Sequence, residues 1–470
     1  MGRRLALRPH LAAALAGVLL VAACSTVRTG HGSAPGQASS AACPSAYSLP
    51  DPRRPRVRLT FVVGADLSTV TGTEHVAFTP DRAITELVFR LTANTAPTVR
   101  EGNRIVVDSA TADHGGGRYA FTAAAADPST QGGLLHIPFA RPVAAGTTVT
   151  ADLYFHLTLG AESFDRFGRT DSSGPRYAWF ASAQPLIAWQ RGFGWHEEDM
   201  AQFPAESATS EAMDTDLTVT APGADTVIMS GDPRDPAPSS GPRTWHASIA
   251  AARDVSVAVG PFSVTDTTVD GVRLRLGAYS SQIRDQLVPE FGRAITELVQ
   301  RFGPFPFPSL SVARLPAEGG GIEYPSSILM LDGSRLVAVH ETAHQWFYAM
   351  VGDSQALHPW LDEAFAQYAE QLVDNTPEPP GLLDSAPGLV DASTESYGTD
   401  ARDYYFTTYD KGAAALEAAR DAAGPGAWDT ALRCYVARNA WRIVQPSDFE
   451  HAIAQFPAAV AILRKAGALP

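Results

Sequence analysis

Two periodicities divide the chain. From about residue 57 to 264, apolar residues alternate with polar or small ones. Val57, Leu59, Phe61 and Val63 form one such set, and Val149, Ala151, Leu153, Phe155 and Leu157 another. Residues 84–91 and 255–264 read as further strands. Side chains on a strand point to opposite faces in turn, so this spacing predicts half-buried strands. The Gly/Pro/Asp clusters between them predict short antiparallel connections, hence a saddle or sandwich. After Val264 the step changes to three and four. Ile283, Leu287, Phe291, Ile295, Leu298 and Phe302 predict an amphipathic helix closed by Gly303-Pro304, with Pro289 kinking or breaking it. Further helices are predicted over 336–351, 360–373, 412–423 and 427–441. A last one starts at Ser447, where Ser447-Asp448-Phe449-Glu450 spells a capping box. Residues 374–403 are Pro/Gly/Ser/Asp-rich and read as a long functional loop. The fold class is therefore α+β, a β domain over 45–265 followed by a mainly helical domain over 266–470.

The N-terminus carries a third pattern. Three arginines within Met1–Arg8 precede a 13-residue apolar run, Leu11–Ala23, and then Cys24. That is a secretory leader, too short to span a bilayer as a mature helix. Val21-Ala22-Ala23-Cys24 reads as a lipobox, with Cys24 acylated after cleavage. This predicts a signal peptide over 1–23, a flexible Ser/Gly/Ala tether over 24–44, and a bacterial lipoprotein on the extracytoplasmic face of the membrane. Once Cys24 is lipidated, Cys43 and Cys434 are the two cysteines left, enough for one disulfide in an oxidising compartment.

Composition narrows the partners. With 45% hydrophobic residues in 470 the chain can bury a large core. A net charge of −14 repels phosphate backbones, so nucleic acid is excluded as a partner. Lysine occurs only at Lys411 and Lys465.

The chemistry is concentrated in residues 340–344, His-Glu-Thr-Ala-His. On a helix His340 and His344 share a face one turn apart, so both rings can reach one ion. Glu341 projects about 100° further round, beside that ion, where it can act as a general base. Catalytic zinc needs a third protein ligand, and Glu363, after 18 intervening residues, is the candidate. The flanks Val337, Val339, Trp346, Phe347 and Met350 are apolar. Burying two histidines and a glutamate among them is costly unless a metal satisfies them. One Zn2+ per chain is expected.

His340-Glu341-x-x-His344, 18 residues and then Glu363 resembles the gluzincin zinc peptidases, and more narrowly the membrane alanyl aminopeptidase family that includes leukotriene hydrolase. Phe302-Gly303-Pro304-Phe305-Pro306-Phe307-Pro308 is similar to the segment preceding that family's exopeptidase motif. Gly320-Gly321-Ile322-Glu323-Tyr324 stands where the family has Gly-x-Met-Glu-Asn, and Tyr409-Asp410-Lys411-Gly412 matches its Tyr-x-Lys-Gly. The resemblance implies a saddle-shaped N-terminal domain and a thermolysin-like catalytic domain. It implies Tyr409 as oxyanion stabiliser, Glu323 on an edge strand binding the substrate amine, Gly320 and Gly321 beside it, and Gln184 as a substrate contact. Peptides are the expected substrates. Two departures stand out. Tyr324 replaces the family's asparagine, and the chain after Tyr409 is too short for the large helical C-terminal domain of many relatives. A thermolysin-like endopeptidase and a catalytically silent peptide-binding lipoprotein are the alternative readings.

Overall fold

The computed structural model describes residues 43–161, 166–170, 174–205, 209–379 and 381–470. The expected signal peptide, the expected lipidation at Cys24 and nearly all of the expected tether lie outside the described residues.

The β domain is built on a six-stranded sheet. Its strands are β1 (Arg56–Val63), β2 (Thr69–Phe78), β3 (Arg104–Ala112), β4 (Val149–Thr158), β5 (Met213–Ala221) and β6 (Arg243–Ala252), in the order β6-β5-β1-β2-β4-β3. The alternation predicted for 57–63 and 149–157 is present, with Leu59, Phe61, Leu153, Phe155 and Leu157 fully buried on one face. One pair departs from the antiparallel expectation. β1 and β5 run parallel, because β5 arrives after a long excursion rather than through a hairpin. Four-stranded sheets cover the inner face, one of them including Ala178–Ala181 and Ser256–Gly260. The single strand expected over 255–264 is two strands, interrupted at Pro261-Phe262.

A mixed five-stranded sheet follows: β7 (Ser263–Val269), β8 (Val272–Ala278), β9 (Ser309–Arg314), β10 (Gly321–Tyr324) and β11 (Ser327–Met330), in the order β7-β8-β9-β11-β10. β10 is therefore an edge strand, paired antiparallel to β11 alone. Helix α1 (Ser281–Phe302) packs on this sheet through Leu287, Phe291 and Ile295. Pro289 neither breaks nor ends α1. It lies in the third turn, exposed on the side away from the sheet.

The remaining helices are α2 (Arg335–Ala343), α3 (Glu363–Asp374), α4 (Gly412–Ala423), α5 (Pro425–Asn439), α6 (Pro446–Ile453) and α7 (Pro457–Ala466). α2 stops eight residues short of the expected end. Beyond His344 the chain turns, Tyr348 adopts φ 116°, and Val351 pairs with Arg442. Trp346, Phe347, Met350 and Val351 are buried all the same, and an apolar run buried on every side carries no helical period to read. α6 starts one residue early. Its capping box is Gln445 with Asp448, because Pro446 takes the first helical position. Among the described residues of 374–403 only single-turn helical pieces form, at Leu382–Ser385, Thr394–Tyr397 and the start of Ala401–Tyr404.

Cys43 and Cys434 are disulfide-bonded, tying the start of the described chain to α5. The segment after Cys43 is also held without the bridge. Ser48 N donates to Ala437 O at 2.9 Å, and Trp346 Nε1 donates to the Tyr47 hydroxyl at 3.1 Å.

Candidate active site

α2 begins at Ser334, whose hydroxyl accepts from Val337 N. Two turns later the helix delivers His340 and Glu341 into a cleft and ends with His344 as its C-cap. α3 begins at Asp362, whose carboxylate accepts from Glu363 N at 2.7 Å, so the cap residue orients the candidate third ligand. The two helices pack together and bring the three groups to one point. His340 Nε2 and His344 Nε2 each lie 3.3 Å from Glu363 Oε2. All three ligand atoms fall within 4.8 Å of one another and are buried.

The outer edges of both rings are engaged. His344 Nδ1 lies 3.0 Å from Phe347 O, and His340 Nδ1 lies 3.5 Å from Glu370 Oε2. A ring held at Nδ1 keeps Nε2 aimed at a metal, so this donor set fits zinc. The charges agree. Burial pulls the His340 imidazole down, but hydrogen bonds to Glu363 and Glu370 and the Glu341 charge push it up to about 10. Burial pushes Glu363 up, yet His344 and His340 hold it well below the carboxylate range. The carboxylates that favour a proton on His340 would equally favour a divalent cation there.

Glu341 sits against β10. A Cβ on Gly321 would stand 2.3 Å from its Cγ and 2.4 Å from its Cδ, so the carboxylate fits because position 321 has no side chain. Gly320 has open space around it. Glu323, two residues along the same edge strand, groups with Glu341 and His344 within 4.8 Å. It is 3% exposed and accepts from Gln355 Nε2 at 3.0 Å. That same amide nitrogen is 3.0 Å from Asp362 Oδ2. Gln355 thus links the Glu323 carboxylate to the cap of the helix that carries Glu363. Gln345 pins the strand from the other side: its Nε2 donates to Tyr324 O at 3.0 Å, and its Oε1 accepts from Ser326 N at 2.9 Å.

Tyr409 lies in a π-helical turn, Tyr405–Lys411, an irregularity common at functional sites. Its ring is parallel to that of His340, with centroids 5.9 Å apart. The cavity around these groups has a volume of about 700 Å³ and is lined by Gly320, Gly321, Glu323, Glu341, Gln367 and Tyr409 among others.

Two residues stand elsewhere. Gln184, expected as a substrate contact, is not among the cleft-lining residues. It is buried between strands Ala178–Ala181 and Leu186–Ile187 and donates to Asp254 Oδ1 at 3.0 Å. Asp254 also accepts from Ser182 and from Val255 N, so the Gln184 amide joins a buried hydrogen-bond group. Tyr324 is buried in the apolar cluster of Trp179, Ile228 and Leu329 rather than facing the cleft. Gln355, Gln345 and Glu370 were not singled out from the sequence. Glu370 alone left a local trace, seven residues after Glu363 and so on the same face of α3.

Residues 326–464 match the model of the Peptidase family M1 domain. Aminopeptidase M1 of Arabidopsis thaliana is 23% identical over 231 residues, 41% of this chain and 26% of the relative. Aminopeptidase M1-A of Oryza sativa subsp. japonica is 24% identical over 234 residues. The chain thus spans about a quarter of the length of these curated relatives. The M1 zinc metallopeptidase of Deinococcus radiodurans superposes with a TM-score of 0.64 at 21% identity, over 88% of this chain and 92% of that one. A mutant of it bound to a Tyr-Ser-Ala substrate superposes equally well.

Proposed function

We propose that this chain, whose residues 326–464 match the model of the Peptidase family M1 domain, is a zinc-dependent aminopeptidase that removes N-terminal residues from peptides. The observation that carries the reading is one buried cleft holding three convergent metal-ligand atoms, a second carboxylate beside them, and a third on an open strand edge.

His340, His344 and Glu363 would hold zinc, which would supply Lewis-acid chemistry and make a water more acidic. Glu341 takes the water's proton and passes it to the leaving amine. The Tyr409 hydroxyl, across the His340 ring, donates to the carbonyl oxygen as that atom gains charge. Glu323 accepts from the substrate ammonium, a charge-assisted bond that an internal peptide segment cannot offer. An extended substrate pairs with the free edge of β10, which fixes its register and delivers the first peptide bond to the metal group.

The test compares a peptide with its N-acetylated twin. The free peptide should lose its first residue, with chelator abolishing turnover, and the blocked one should persist. Equal cleavage of both, or cuts at internal bonds, would overturn the aminopeptidase reading.

A further inference from the structure

One face of α3 carries Glu363, Gln367, Glu370 and Gln371, spaced by three and four. Gln367 and Glu370 line the cleft. Glu370 approaches the outer nitrogen of His340, whereas Glu323 stands beside Glu341 and His344. The two carboxylates thus flank the metal group from different sides. If Glu323 holds the amine, the part of the substrate beyond the scissile bond runs toward Gln367 and Glu370.

That side is acidic and continues past Glu370. The Glu378 carboxylate receives hydrogen bonds from Gln367 and from Gln371 Nε2, and Glu378 N donates to Glu417 Oε2 at 3.3 Å. Asp410, next to Tyr409, is close enough to repel both Glu370 and Glu378. The nearby cations are committed elsewhere. Lys411 Nζ donates to Gly388 O at 2.6 Å, and Arg420 makes two bonds of 2.8 Å to Asp429. Gln371 supplies an independent sign of a missing ligand. It is 4% exposed, its amide reaches into this group, and its Oε1 has no hydrogen-bond partner among the described residues. Carboxylates and an amide oxygen are all acceptors, so what completes them is a donor bearing positive charge. Consistent with this, burial and the Asp410 charge lift Glu378 to about 7.

We propose that this wall selects a basic residue immediately after the scissile bond, its cation held by Asp410, Glu378 and the Gln371 amide oxygen. The proposal rests on the aminopeptidase reading. The reach is right. Gln371 lies eight residues beyond Glu363, about 12 Å along the helix. The next Cα of the substrate is ~3.8 Å further on, an extended lysine stem adds roughly 6 Å, and a hydrogen bond of about 3 Å closes the remaining gap.

The experiment measures free alanine released from Ala-Lys-Ala, Ala-norleucine-Ala and Ala-Glu-Ala by chromatography. At low salt kcat/KM should favour lysine over norleucine by about tenfold, with glutamate slowest, and added salt should shrink the ratio. In the double variant Glu378→Gln, Asp410→Asn the ratio should fall to within about twofold. A wild-type ratio within twofold, or a ratio indifferent to salt, overturns the proposal, and neither measurement depends on the variant folding. Equal cleavage of the lysine and norleucine peptides removes the selectivity alone. Failure to cleave any of the three removes the aminopeptidase reading and the selectivity with it.

Discussion

A methyl group on Gly321 would occupy space that Glu341 fills. The added Cβ would stand 2.3 Å from Glu341 Cγ, 2.4 Å from Cδ and 2.5 Å from Oε1. Carbon atoms in contact sit about 3.5–4.0 Å apart, so the overlap exceeds roughly 1 Å. β10 is held by its ladder to β11 and by Gln345 on Tyr324 O. The Glu341 side chain therefore yields first, by roughly the overlap. A displacement of about 1 Å at a reacting group costs on the order of a hundredfold in rate, about 2.7 kcal/mol of barrier. Gly320→Ala is the matched control, since its Cβ would meet nothing within 4 Å. The assay is steady-state hydrolysis of an amino-acid p-nitroanilide, with zinc content and melting temperature measured on the same samples. Gly321→Ala should lose about a hundredfold in kcat and keep its zinc, while Gly320→Ala stays within a few-fold of wild type. The reasoning is refuted if Gly321→Ala turns over within about threefold of wild type, or if both substitutions cost the same.

Tyr409→Phe should bind metal and substrate normally but lose about a hundred- to thousandfold in kcat, the usual cost of one oxyanion donor; wild-type turnover would return Tyr409 to a packing role. A second expectation concerns pH. Glu211 is lifted from 4.5 to about 8 by burial, against the pull of Arg191, whose Nε is 3.2 Å away. Between those values the folded chain keeps a proton that the unfolded chain has released. Stability contributed by this group is therefore present below about 4.5 and lost as pH rises through about 8. Glu211→Gln should melt above wild type at high pH and close to it under acid conditions. Calorimetry across that range checks the sign, and a variant less stable than wild type at high pH contradicts it.

The metal group was legible in the sequence because its geometry is local. One helical turn fixes His340 against His344, and a fixed spacing to the next helix start places Glu363. Glu323 was legible only through the resemblance of Gly320-Gly321-Ile322-Glu323-Tyr324 to the family's Gly-x-Met-Glu-Asn. What holds these groups in place was not. Gln355 joins Glu323 to Asp362 across a turn with no periodicity, and Gln345 reaches a strand 21 residues away. Neither partnership has a sequence spacing that recurs. The end of α2 was misread because burial on all sides erases the amphipathic signal. Gln184 is a different case: its partner Asp254 is distant in sequence, so no local spacing announces the bond.

The bridge between Cys43 and Cys434 closes a ring of backbone spanning 391 positions. The six-stranded and five-stranded sheets, helices α1 to α4 and every group of the candidate metal cleft lie on that ring. Cutting any one peptide bond inside it opens the ring to a line without releasing a fragment. The exposed stretch around Asn375–Pro377 and the turn at Thr399–Asp400 lie within it. A molecule clipped once at either place gains one water and loses no fragment, and its two pieces separate only after the disulfide is also reduced. The fold thus has two independent closures against dispersal, one built from packing and one from covalent topology.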